Sequence, residues 1–314
     1  MEMEELSDAE LKNKFEEDCK IRGFSKHTIE GYISSSNLFS DFLHERNYTF
    51  LTIDRKILRE YISYLRHKEI RYKTIKNRFS ALSSLYDYAV YEGFMERNII
   101  NDVRKRYLRV YKENNGDEIK RKLVTIEEMS RFVNSIIDIR DKAIALLLAK
   151  TGIRRRELVA IELDDINWDR MRITLKPTPK RSNRVIFYDY ECAMVLKRWL
   201  KKRELIADPE CKALFVSYID RKEGVNSNGV YCVFIKWAKH VGLYNSNSDK
   251  IEDRFTPHCC RHWFTTYLRK AGMPREFIQE LRGDKRSEAI DIYDHIDKDE
   301  LQKSYLACIP QLGI

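Results

Sequence analysis

Apolar side chains recur at helical spacing through the first third of the chain. Ile29, Ile33, Phe39, Phe42 and Leu43 share one side of a predicted helix for which Ser25 is the expected N-cap. Ile57, Tyr61, Ile62 and Leu65 predict a second. Ile75, Phe79, Leu82, Leu85, Tyr86 and Ala89 predict a third, ending near Gly93. Four helices of this size fill a domain of about 100 residues. Residues 112–122, KENNGDEIKRK, then run polar with one aliphatic position, so they are read as a linker between domains 1–111 and 123–314.

Beyond the linker the pattern changes. Thr125 followed by Glu127 and Glu128 is a helix-start signal. The segment from Asp141 to Lys150 is apolar nearly all round, which predicts a buried helix, and it stops at Thr151-Gly152. Arg172 to Leu175 and Arg184 to Tyr188 alternate as strands do, around the turn-rich run KPTPKRSN, and predict a hairpin. Helical patterns return at Glu191 to Lys202, Val230 to Val241 and Pro257 to Ala271. The expected fold is therefore mainly α with a small β-sheet, in two domains, with no internal repeat.

Composition narrows the class. The chain has 314 residues, 43% hydrophobic and 34% charged, with 11 glycines and 6 prolines, which excludes collagen-like and disordered chains. The longest apolar run, Ala143 to Ala149, is too short to span a bilayer, and the acidic start MEMEELSDAELK has no apolar region of a secretory signal. Seven scattered cysteines without a CxxC pair read as reduced thiols, hence a cytoplasmic protein. The net charge of +9 makes nucleic acid the first partner to consider. Its distribution sharpens this: residues 1–50 hold 6 basic and 11 acidic side chains, residues 55–78 hold 9 basic and 2 acidic. A sign change between consecutive helices suggests one face that meets a polyanion.

Three segments carry candidate chemistry. In Thr151-Gly152-Ile153-Arg154-Arg155-Arg156-Glu157-Leu158 a glycine turn places Arg154 at a helix start, with Glu157 three residues on, on the same face. In Thr256-Pro257-His258-Cys259-Cys260-Arg261-His262, Thr256 can cap and Pro257 suits the first helical position, so His258 and Arg261 project together one turn apart. In the third, Gly283-Asp284 stands nine residues before Tyr293. Arginine forks grip phosphate oxygens and offset charge growing on phosphorus, and a tyrosine can attack and hold a covalent intermediate. Singly, each has a plainer reading. Tyr293 is one of 18 tyrosines, flanked by apolar neighbours as a core residue would be. His258 could be a bonded structural histidine, Arg154 to Arg156 a basic surface, and Glu157 a structural partner. His258, Cys259, Cys260 and His262 match no usual zinc spacing.

Together, these segments resemble the signature boxes of the tyrosine recombinases, or phage integrase family, which includes the Xer-type proteins. The first is similar to that family's Thr-Gly-x-Arg-x-x-Glu-Leu box, the second to its His-x-x-Arg-His box, and the Gly283-to-Tyr293 spacing to its nucleophile box. The resemblance runs from about Leu11 to Leu301, with the N-terminal helices similar to the family's SAM-like core-binding domain. It implies Arg154 and Arg261 as phosphate clamps, His258 as an aid to proton transfer or phosphate binding, and Tyr293 as nucleophile. It places the catalytic lysine in the hairpin. Lys180 at the tip is preferred, with Lys176 the alternative. Asp284 departs from the pattern, which usually has His or Trp there. It could turn toward Arg282, Lys285 or Arg286, or bond a catalytic donor. The Arg282-Gly283-Asp284 run resembles the archaeal branch. The resemblance further implies a C-shaped clamp on double-stranded DNA, a tetramer on paired recombination sites, a monomer or weak oligomer without DNA, and no metal or cofactor. The tail, with Leu301, Tyr305, Leu306 and Ile309 at helical spacing, is a candidate for docking on a neighbour. A type IB topoisomerase-like relaxing activity and a non-catalytic DNA-binding relative are the alternative functions.

Overall fold

A computed structural model describes residues 6–109, 122–177, 184–248, 250–284 and 296–314. The chain divides into two compact units, Met1–Gly116 and Asp117–Ile314. The expected linker, residues 112–122, lies outside the described residues apart from Lys122.

The first unit holds helices α1 (Asp8–Ile21), α2 (Lys26–His44), α3 (Arg55–His67), α4 (Tyr72–Tyr91) and α5 (Ile99–Tyr107). Five are present among its described residues where four were expected. Ser25 caps α2 by accepting from the Thr28 amide, and α4 runs out just before Gly93, which takes φ +77°. The core is aromatic: Tyr61 packs against Phe39 and Phe42 with ring centroids 4.7 and 4.8 Å apart. The buried Asp8 carboxylate ties α1 to it, accepting from the Phe50 amide at 2.8 Å and meeting His44 Nε2 at 3.2 Å. All but Arg78 of the nine basic side chains between residues 55 and 78 are exposed.

The second unit is built on α7 (Ile139–Thr151), in which every residue from Ala143 to Thr151 is buried. A helix apolar all round must be enclosed, and α9 (Tyr190–Ile206) and α11 (Pro257–Lys270) pack on it. Around these lie α6 (Ile126–Ser135), α8 (Arg155–Val159), α10 (Ser227–His240), α12 (Arg275–Arg282) and α13 (Lys298–Cys308). The Thr125 side chain and Glu128 form a capping box that starts α6. The sheet is antiparallel in the order β1 (Ile166–Asn167), β2 (Arg172–Leu175), β3 (Arg184–Phe187), with Ile173 paired to both Ile166 and Ile186. Among the described residues no helix is long and apolar enough to cross a membrane.

The tail corrects an expectation. Leu301, Tyr305 and Ile309 are buried within their own unit, against Phe264, Leu268 and Phe187, and so are not left for a neighbour, whereas Leu306 of the same run is exposed. The Tyr305 hydroxyl donates to the Lys150 carbonyl at 2.9 Å. The Lys150 ammonium, itself fully buried, donates to Asp189 (2.6 Å), Glu191 (2.6 Å) and the Pro310 carbonyl (2.7 Å). Glu191 in turn accepts from the amides of Leu312, Gly313 and Ile314 at 2.6–3.1 Å. The amphipathic spacing is real, but the surface that answers it is α7, α11 and α12 of the same unit.

Candidate active site

Gly152 ends α7 in the left-handed region at φ +60°, and a Cβ there would stand 2.5 Å from Phe264 of α11. Glycine therefore both permits the turn and lets α11 approach. The next turn sets Arg154 at the N-cap of α8. Its amide donates to Glu157 Oε2 at 2.7 Å and its Nη1 meets Oε1 at 3.4 Å.

Glu157 is the hinge of the arrangement. Arg184, buried on β3, grips it with both terminal nitrogens, Nη1 to Oε1 at 2.8 Å and Nη2 to Oε2 at 2.9 Å. Burial raises the Glu157 pKa, yet the Arg184 guanidinium and the Arg154 amide outweigh it and lower the carboxyl from 4.5 to about 2. Arg184 also underlies Gly283, which closes α12 at φ +60°. A Cβ there would meet Arg184 Nη1 at 2.7 Å and Cδ at 2.8 Å.

Arg261 comes from the first turns of α11, which opens with Thr256 at the N-cap and Pro257 at the first helical position. The Thr256 amide donates to Cys259 Sγ at 3.4 Å, so that thiol caps the helix, and Cys260 is buried with its thiol pushed up by desolvation. Arg261 is buried. Its Nη1 donates to the Gly152 carbonyl at 2.8 Å and its Nη2 to the Arg282 carbonyl at 2.9 Å and to Asp284 Oδ1 at 3.0 Å. Burial and the charges of Arg154 and Arg282 push its pKa down from 12.5 to about 9, with Asp284 and Glu157 pulling it back. Arg154 Nη2 lies 3.8 Å from Asp284 Oδ1, and Arg282 Nε 3.0 Å from Asp284 Oδ2.

Three of the sequence-derived residues, Arg154, Arg261 and Asp284, thus meet at one carboxylate oxygen. Asp284 turns to Arg282 and to Arg261 at once, two of the orientations expected of it. His258 is exposed in the first turn of α11, its ring against His262 with centroids 5.0 Å apart, and Arg261 of the same helix is buried. Lys176 pairs with Glu162 at 2.5 Å. Lys180 and Tyr293 lie outside the described residues. Sequence reasoning missed Arg184. Its signal was a charged residue opening an otherwise apolar strand, next to the obligatory glycine at position 283. Among the described residues no group of three or more His, Cys, Asp or Glu could hold a metal ion. Chemically, two guanidiniums from separate elements converging on one anionic oxygen form a site for a tetrahedral oxyanion.

Comparison with known proteins agrees in kind. The phage integrase family matches residues 116–300, and the phage integrase N-terminal SAM-like domain matches residues 13–93. The tyrosine recombinase XerC of Leptospira interrogans serogroup Icterohaemorrhagiae serovar copenhageni (strain Fiocruz L1-130) is 26% identical over 309 residues, covering 96% of this chain and 93% of that protein. The XerC of Staphylococcus aureus is 26% identical over 297 residues, covering 92% and 93%. The Tn1549 transposon integrase in complex with transposon right end DNA shares the fold at TM-score 0.68 and 19% identity, covering 93% of this chain and 97% of that one. A lambda integrase dimer bound to a COC' core site does so at TM-score 0.67 and 19%, covering 92% and 98%. A lambda integrase tetramer bound to a Holliday junction does so at TM-score 0.65 and 18%, covering 91% and 79%.

Proposed function

Because the chain belongs to the phage integrase family, we propose that it is a site-specific DNA recombinase that cuts and rejoins strands through a 3′-phosphotyrosyl intermediate on Tyr293. Arg154 and Arg261 hold the non-bridging oxygens of the scissile phosphate and offset the charge that grows on the five-coordinate phosphorus. The Tyr293 oxygen attacks phosphorus as its proton leaves. The bond to the 5′ oxygen breaks, and Lys180 supplies the proton which that oxygen takes up. His258, at the exposed start of α11, assists proton transfer or steadies the phosphate. The free 5′-hydroxyl of a partner strand then attacks the phosphotyrosine, releases Tyr293 and completes the exchange. Asp284 acts through the two arginines it touches.

The exposed basic side chains of residues 55–78 meet duplex phosphates, consistent with relatives solved on DNA. A tetramer on paired sites is the working assembly, a reading supported by the lambda integrase tetramer solved on a Holliday junction. The protein works on DNA in the cytoplasm. The Arg282-Gly283-Asp284 run is the ground for an archaeal affinity, although the XerC relatives named above are bacterial and the family assignment does not depend on it.

The observation that carries this reading is the convergence of Arg154 and Arg261 on one anionic oxygen, with Arg261 fixed by two carbonyls besides. Its test is a nicked suicide duplex bearing the site recovered by sequencing junctions made in cells that express the protein. Wild type should form a covalent band on a denaturing gel, and Tyr293→Phe should bind the duplex and form none. Relaxation of supercoiled plasmid without strand exchange would favour the topoisomerase-like reading. Binding without any covalent band from wild type would favour the non-catalytic one.

A further inference from the structure

The residue that joins the two arginines is itself an anion, and it sits where their substrate should. Asp284 is held at this point from behind: Gly283 turns the chain out of α12 in the left-handed region, and the Asp284 amide donates to the Gln279 carbonyl at 3.0 Å. Its Oδ2 lies 3.0 Å from Arg282 Nε, and its side chain is 28% exposed.

The hydrogens of Arg261 are limited. Its Nη2 carries two. One goes to the Arg282 carbonyl at 2.9 Å, the other to Asp284 Oδ1 at 3.0 Å. The first acceptor is backbone at a helix end and is fixed. A phosphate oxygen that reaches this nitrogen must therefore take the hydrogen that Asp284 holds. The same oxygen of Asp284 lies 3.8 Å from Arg154 Nη2, farther than a hydrogen bond but within an ion pair, so the carboxylate also claims the space between the two forks.

We propose that Asp284 is the resident anion of the arginine pair, occupying the place of a phosphate oxygen in the DNA-free protein and ceding it to the scissile phosphate. This rests on the reading of Arg154 and Arg261 as phosphate ligands. Arg282, ion-paired with the other carboxylate oxygen, is the partner that keeps Asp284 after it is displaced. Charge balance points the same way: Arg261 is buried beside Arg154 and Arg282, which weaken its hold on its proton, and Asp284 is the larger of the two anions' contributions that oppose them, ahead of Glu157. The consequence is selectivity. A free phosphate or nucleotide brings few other contacts and displaces the carboxylate only at high concentration. A phosphodiester held in place by a bound duplex brings many.

The experiment titrates inorganic phosphate into wild type, Asp284→Asn and Asp284→Ser, following the arginine Nε–H resonances by NMR. Both replacements keep a short polar side chain for Arg261 Nη2. The expected result is phosphate binding about tenfold tighter or more in either folded variant, the scale of removing one like charge at about 4 Å. Adding Arg154→Ala should cancel the gain. Unchanged or weaker binding in a folded variant, or a gain that survives Arg154→Ala, overturns the proposal. Should neither variant fold, wild type decides. Saturating phosphate must move the Asp284 carboxyl carbon signal together with the Arg261 Nε–H signal, and an unmoved carboxyl with a moved guanidinium overturns the proposal. None of these readouts involves cleavage. A covalent band on the suicide duplex with no phosphate gain sinks this inference and leaves the recombinase reading standing, and the reverse result does the opposite.

Discussion

Glu157→Gln tests the brace behind the arginines. The substitution keeps shape and removes charge. Oε1 accepts from Arg184 Nη1 at 2.8 Å and Arg154 Nη1 at 3.4 Å, and Oε2 from Arg184 Nη2 at 2.9 Å and the Arg154 amide at 2.7 Å. Whichever oxygen becomes an amide nitrogen then faces two donors, and the buried Arg184 loses its counter-charge. Unpairing a buried ion costs about 3–5 kcal/mol, with the residual amide bond pulling toward the lower end. The acidity of the group gives the same scale. A carboxyl lowered from 4.5 to about 2 is worth about 3 kcal/mol at about 1.4 kcal/mol per unit. In a unit of this size that is a fall of about 6–12 °C in melting temperature. The folded pKa is depressed, so this stability is fully present above pH 4.5 and is lost as pH falls through about 2. Wild type should show that acid loss and the variant should not. Because the Arg154 amide loses its anchor, single-turnover cleavage should drop by about tenfold or more while duplex binding changes less. Urea unfolding and cleavage of one suicide substrate measure both effects. A variant within about 1 kcal/mol of wild type that also cleaves at the wild-type rate would refute the argument.

Lys150→Met should destabilise the second unit by about 3–5 kcal/mol, since the buried Asp189 and the partly buried Glu191 are left without their cation; thermal unfolding at neutral pH checks it, and a change under about 1 kcal/mol would count against the buried-pair account. Lys180→Ala should slow cleavage strongly and Lys176→Ala only mildly, because Lys176 is paired to Glu162. A substrate whose leaving atom is sulfur, which needs no acid, should restore the Lys180→Ala rate, and no restoration would move the acid elsewhere. Cleavage should proceed in excess EDTA, with arginines supplying the positive charge; loss that magnesium reverses, at unchanged DNA binding, would contradict this.

Much of the fold could be read because the helices that matter are strongly periodic. The stripes from Ile29 to Leu43 and from Ile75 to Ala89 fall within α2 and α4, and the uniformly apolar run of α7 is the buried centre of its unit. What escaped has little period to show. In α1 Leu11, Phe15 and Cys19 form a thin buried stripe among charges, α5 has nine residues, and β1 has two. The site divides in the same way. Arg154 and Arg261 announce themselves through local grammar, a glycine turn and a Thr-Pro helix start. The partner of Glu157 does not, because Arg184 lies 27 positions away and meets it only once β3 is folded. Asp284 had several cations in sequence reach and a catalytic donor as an alternative, and only geometry shows that it meets Arg282 and Arg261 together. For the tail, spacing defined the apolar face but held nothing about which surface would cover it.

The strap that joins residues 309–314 to Lys150 and Glu191 has a consequence for how the chain comes to be folded. Lys150 meets a carbonyl 160 positions later, and Ser130 Oγ donates to the Leu312 carbonyl 182 positions later. Contacts of such sequence separation close late and slow a folding reaction. The first unit, whose described contacts are made within its own first 109 residues, can be complete while the chain is still being synthesised. The second cannot satisfy Glu191 until the segment through Ile314 has been delivered. A chain that ends before residue 310 should therefore keep the contacts of the first unit and leave Lys150 and Glu191 of the second without their C-terminal partners.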